Sequence, residues 1–129
     1  MRCYVGVTPN ELQQFHYEGS FSFAFGMTVT QKRADQNPDA NEEELEFEVS
    51  WLAAQESRKR QSSTAVNGYA IALEIPNSST GAVNEDGVEI VKPVLWNQVE
   101  AILIADSNEE DLSWFAPQEV SLHLPNWLS

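Results

Sequence analysis

The chain has 129 residues, 20 acidic against 7 basic side chains, a formal net charge of −13, and 42% hydrophobic residues including 4 Trp, 3 Tyr and 6 Phe. That length fits one domain spanning residues 1–129, at roughly 100–200 residues per domain, and the aromatic content excludes a disordered acidic chain. The charge argues against direct nucleic-acid binding, which rests on clustered Lys and Arg at phosphates, and against anionic membrane surfaces.

Residues 1–7 alternate, with Met1, Cys3, Val5 and Val7 on one face, which predicts a strand. Thr8-Pro9-Asn10-Glu11 follows as an N-cap, a proline suited to the first helical position and a capping-box acid, predicting a short helix over 9–17 stopped by Gly19. Phe21, Phe23 and Phe25 alternate with small residues, the clearest strand pattern in the chain, running on through Met27 and Val29. Residues 30–41 read as polar connection with a turn at Asn37-Pro38-Asp39. Asn41 then precedes Glu42, Glu43 and Glu44, and Arg58-Lys59-Arg60 lies a helix length further on. Acids at one end and bases at the other complement the helix dipole, so one long helix is predicted over 41–61.

Residues 68–75 form a further strand, with Tyr69, Ile71, Leu73 and Ile75 on a large face and Gly68, Ala70 and Ala72 on a small face that lets a helix approach closely. Residues 76–87 read as a loop, 88–92 as a short strand ended by Pro93, and 95–98 as one helical turn. The continuous apolar run at 101–105 suggests a central strand covered on both faces. Residues 112–116 read as a short strand carrying Trp114 and Phe115, and Pro117-Gln118-Glu119 as a first helical turn leading to Val120, Leu122 and Leu124 before Pro125. The fold expected is α+β: a two-layer sandwich of one mostly antiparallel or mixed sheet of about five strands. One long and one short helix are expected to pack mainly on one of its faces.

The long helix carries two apolar stripes, Leu45, Val49, Leu52 and Ala53 on one side and Phe47, Trp51 and Ala54 on nearly the other. One should pack on the sheet. The other is expected to be covered either by the tail, through Trp114, Phe115 or Trp127, or by another protein. Glu44 and Glu48 lie four apart, and the 106–111 turn is rich in oxygen donors. Both are read first as solvated surface, because no His joins the first pair and the turn lacks the glycine and spaced glutamate of a calcium loop. His16 and His123 lie near no nucleophile motif, and no phosphate loop, paired-cysteine site or dinucleotide fingerprint occurs. No motif points to a catalytic residue set, a metal site or a cofactor. One cysteine, Cys3, cannot form an internal disulfide, no apolar run reaches the 18 residues of a membrane span, and the opening residues lack a secretory signal. These features give a cytoplasmic expectation.

Met1-Arg2-Cys3-Tyr4-Val5, Glu43-Glu44-Leu45-Glu46-Phe47 and Leu112-Ser113-Trp114-Phe115-Ala116-Pro117-Gln118-Glu119-Val120 resemble, in that order, a family of small uncharacterised actinobacterial proteins. The chain departs from that pattern in a less alanine-rich helix ending in three bases and in a shorter acidic linker before Trp114. The resemblance implies no activity or site, and it draws interest to the tail residues as a landmark.

The reading is a non-enzymatic acidic protein-interaction module, with Phe47, Trp51, Trp114, Phe115, Gln118 and Glu119 as candidate surface and a homodimer or a basic protein as partner. Two alternatives remain open. One is a metal- or ligand-dependent enzyme using carboxylates of the long helix and the 106–111 turn. The other is a nucleic-acid mimic that binds a basic protein. The charge is uneven: residues 1–60 hold ten acids against six bases, and residues 61–129 ten acids against one. A basic partner is therefore expected against residues 74–119.

Overall fold

A computed structural model describes residues 1–62, 66–106 and 111–129. The first strand, β1 (Arg2–Val7), leads into helix α1 (Pro9–Glu18). The Thr8 hydroxyl accepts from the Glu11 amide and the Glu11 carboxylate accepts from the Thr8 amide, so two of the helix's orphan donors are satisfied. Gly19 closes it at φ +80°, a left-handed conformation that glycine adopts without steric cost.

The alternating phenylalanines do not make one strand. β2 (Ser20–Phe21) and β3 (Phe25–Met27) belong to different sheets. Phe21 and Phe23 turn toward Phe15 and Trp96, with Phe15–Phe23 centroids 5.5 Å apart and Phe15–Trp96 5.0 Å. β3 returns to pair with β1 at Tyr4 opposite Met27, on the other side of the sheet. Packing of the aromatic cluster thus overrides the simple two-residue period.

Helix α2 (Gln31–Gln36) occupies part of the stretch read as connection. Helix α3 (Glu42–Arg60) follows, capped by Asn41 in a box with Glu44, close to the bounds the charge order predicts. Then come β4 (Gly68–Glu74), β5 (Thr80–Val83), β6 (Gly87–Ile90), β7 (Val94–Leu95), β8 (Val99–Ala105), β9 (Leu112–Phe115) and α4 (Val120–Leu128). α4 continues past the expected stop at Pro125.

The main sheet has seven strands in the order β5-β6-β3-β1-β4-β8-β9, every pairing antiparallel, and β2 and β7 form a separate ribbon. The α+β class stands. The expected count of about five strands is too low, and the expected one-sided helix layer is corrected. α3 lies on one face, while α1 and α4 supply Leu12, Phe15, Val120 and Leu124 to the core on the other. The alternation in β1, β4 and β8 explains the two-sided cover. The large residues Val5, Val7, Ile71, Leu73, Ile102 and Ile104 build the thick core under α1 and α4. Ala70, Ala72, Ala101 and Ala105 make the thin face under α3.

On that thin face the helix backbone nearly touches the strands. A Cβ on Gly6 would lie 2.2 Å from the Ala53 carbonyl oxygen, and one on Gly68 would lie 2.3 Å from that of Ala54. This corrects the expected contact stripe. Ala53, Ala54 and Ser57 face the sheet because they are small, while Leu52 turns outward at 37% exposure. Ser57 goes further: its hydroxyl donates to the Val7 carbonyl (2.5 Å) and accepts from the Tyr69 amide (2.9 Å), bridging β1 and β4 at their opposed residues Val7 and Tyr69. Arg58 is buried beside it, donating to the Val66, Ala105 and Asp106 carbonyls at 2.8, 3.1 and 2.9 Å and to Gln55 Oε1 at 2.9 Å.

Candidate functional site

α3 seats mainly on β1 and β4, and toward β8 and β9 the thin face is left open. Ala72, Ala101 and Leu103 floor a groove of about 310 Å³, and Phe47, Leu112 and Trp114 wall it. Arg2, Tyr4, Glu46 and Ser50 complete the lining. Phe47 is 47% exposed and Trp114 61%. Large apolar side chains gathered at such exposure mark a contact surface more often than scattered ones do. Phe47 also walls a second, shallower depression of about 620 Å³, lined by Glu43, Glu44 and Glu48 with Asn37 and Asn41. It therefore forms a ridge between an apolar groove and an acidic one.

The groove rim is polar and organised. The Tyr4 hydroxyl donates to Glu46 Oε2 at 2.5 Å. Burial, reinforced by that carboxylate, pushes the Tyr4 phenol up to about 12. Burial likewise pushes the Cys3 thiol, on the opposite face of β1, up to about 11. Both groups keep their protons in the fold at pH values where the unfolded chain, titrating at about 9 and 10, has lost them. Between about pH 9 and 12 the unfolded state therefore binds fewer protons, so stability falls as pH rises. Below about pH 9 the contribution is fully present. From neutral pH to about pH 9 these two groups should leave the Tm level, with a decline above it, and Tyr4→Phe should make the decline shallower. An equally steep decline in that variant would deny Tyr4 this role.

The six candidate surface residues divide. Phe47 and Trp114 meet at the groove. Trp51 is half-buried against the alanine layer with the Arg58 guanidinium 5.8 Å from its ring centre. Phe115 lies on the opposite face, 5.4 Å from Trp127 and 4.9 Å from His123. Trp127 packs there too, so of the three tail aromatics only Trp114 reaches the Phe47 side. Gln118 is exposed in a short 3-10 turn, and Glu119 Oε2 accepts from the Ala116 amide at 2.7 Å. Tyr4, Leu103 and Leu112 were missed as site residues. Leu103 was legible only as part of the apolar run 101–105, and nothing in the spacing of Tyr4 or Leu112 points to a groove.

Among the described residues, Glu44 and Glu48 of the long helix do not meet Asp106 of the 106–111 turn. Glu48 accepts from Arg33 at 2.7 Å and Glu44 closes the helix cap, both near the start of α3. The Asp106 backbone is held by Arg58, ten residues further along the helix, or about 15 Å at 1.5 Å per residue. Residues 107–110 of that turn lie outside the described residues. Among the described residues, no group of three or more His, Cys, Asp and Glu is placed to hold a metal ion. Nor is any helix among them long and apolar enough to cross a membrane.

A family model described as a family of unknown function (DUF6912) matches residues 1–109. The chain belongs to that family. The matched stretch takes in β1 through β8 and all of α3, and ends before Trp114. No curated protein and no solved structure matches the chain.

Proposed function

We propose that this member of the family is a non-enzymatic, acidic interaction module that receives a protein partner at the Phe47–Trp114 groove. The carrying observation is that two large aromatic side chains, from elements far apart in sequence, converge on one open apolar groove that Phe115 and the aromatic of α4 leave uncovered. Central aromatic anchors of this kind carry most of the binding energy in protein interfaces. The surrounding acids favour a basic partner, whose charge sets approach rate and selectivity. A cytoplasmic setting belongs to the same proposal, supported by a single cysteine that is buried and protonated.

The test compares wild type with Phe47→Glu and Trp114→Glu. Each should retain its Tm within a few degrees, because both side chains are exposed. A partner recovered with wild type and reconstituted from purified components should bind each variant about thirtyfold more weakly, the scale of a 2 kcal/mol anchor. Unchanged affinity in both variants would sink the proposal.

A further inference from the structure

The groove is bounded on one side by a sheet edge, and the pairing alternation tells which backbone groups that edge presents. The Ile75 amide donates to Met1, and Val7 and Tyr69 are joined through Ser57, so the odd-numbered residues of β1 and β4 bond to each other. In an antiparallel ladder the intervening residues bond to the opposite neighbour. Ala70 and Leu103, directly opposed, therefore bond to each other, and Ile102 and Ile104 bond to their β9 partners Phe115 and Ser113. Leu112 and Trp114 then point their N–H and C=O groups away from β8, along the open edge. Ala116 has the same parity, and its amide is the one that Glu119 covers. That carboxylate closes one end of the edge and leaves Leu112 and Trp114 open.

Edge strands with unpaired backbone are templates for another strand unless they are blunted. Here the blunting stops at Glu119, and the charge beside the edge is predominantly negative, the one cation lining the groove, Arg2, being paired with Glu74 at 3.5 Å. Asp111 precedes β9, Glu119 follows it, and Glu100, exposed at the irregularity in β8 pairing, lies beyond its end. Glu46 stands across the groove. A second copy would bring these acids against their own kind. A strand carrying Lys or Arg at alternate positions would pair them. Its basic side chains on the α3 face would run their aliphatic stems over Leu112 and Trp114 and place their cations among the acids, with a cation over the Trp114 ring.

Resting on the interaction reading above, we infer that the partner segment is an extended, alternately basic strand that adds to β9 through the backbone groups of Leu112 and Trp114. Strand addition of this kind takes affinity from main-chain bonds and specificity from alternate side chains.

The probe is a capped eight-residue peptide alternating Lys and Val, with a Glu-Val peptide as control, titrated into isotope-labelled full chain. Expected are amide shifts concentrated at residues 112–115, at least tenfold slower hydrogen exchange at the Trp114 amide, loss of binding with rising salt, and no response to the Glu-Val peptide. Trp114→Pro removes an outward N–H and leaves the β8 bonds of Ser113 and Phe115, so it should bind at least tenfold more weakly than Trp114→Ala. The exchange measurement on wild type stands even if Trp114→Pro fails to fold. Equal binding by the proline and alanine variants, shifts confined to the Phe47 side with unaltered Trp114 exchange, or self-association through β9 would each overturn strand addition. The Phe47→Glu and Trp114→Glu comparison with a reconstituted partner judges the interaction reading separately.

Discussion

Gly6→Ala should lower the unfolding free energy by about 3 kcal/mol, the upper range for forcing atoms into a packed core. At a few degrees per kcal/mol for a chain of this length, that is a drop of roughly 10 °C in Tm. The added Cβ would lie 2.2 Å from the Ala53 carbonyl oxygen and 2.9 Å from the Ser57 amide nitrogen. Both are helix backbone, so no side-chain rotation relieves the clash, and α3 must lift from the sheet. Gly81→Ala is the control. Its Cβ would meet Glu89 Oε2 and Val91 Cγ1 at 3.0 Å, the movable ends of exposed side chains, and it should cost under about 1 kcal/mol. Urea midpoints for the two variants decide the matter. If they coincide, α3 is not seated on β1 at backbone distance.

Arg58→Met should cost about 3 kcal/mol or more, with most of the loss persisting in Arg58→Lys. The methionine preserves an unbranched apolar stem but leaves three backbone carbonyls and Gln55 Oε1 without their donor. Stranded buried acceptors cost about 1–3 kcal/mol each, less where water can reach them. Lysine restores the charge, but a single ammonium cannot reproduce a planar fork that reaches Val66 on one side and Ala105 and Asp106 on the other. Denaturation of the three proteins at neutral pH checks this. Full rescue by lysine would mean that charge alone, rather than the spread of donors, holds the end of β8 to α3.

What the sequence disclosed was what is local. Thr8 with Glu11, Asn41 with Glu44 and the acid-to-base order of residues 42–60 act within a few residues, so α1 and α3 could be read directly. α2 buries no residue and therefore leaves no periodic apolar trace, and β5 is an outer strand of half-exposed to exposed residues without alternation. The division of residues 20–27 between two sheets depends on Val94–Leu95 and on the Phe15–Trp96 cluster, partners that the run of phenylalanines cannot reveal. The site follows the same rule. Phe47 and Trp114 were conspicuous as aromatics, but their meeting depends on where α3 seats on the sheet and on Leu103 standing opposite Trp114. Trp51 and Phe115 were equally conspicuous and serve packing on different faces.

The Ser57 hydroxyl ties two motions together. At that end of the sheet, where Val7 stands opposite Tyr69, the helix hydroxyl is bonded to both strands at once, donating to the Val7 carbonyl and accepting from the Tyr69 amide. Lifting the helix removes the fastener and weakens that end of the seam; opening the strands strips the hydroxyl of its partners and loosens the helix. Docking of α3 and closure of the β1–β4 seam are thus one cooperative step, and the Tyr69 amide is a built-in gauge of it.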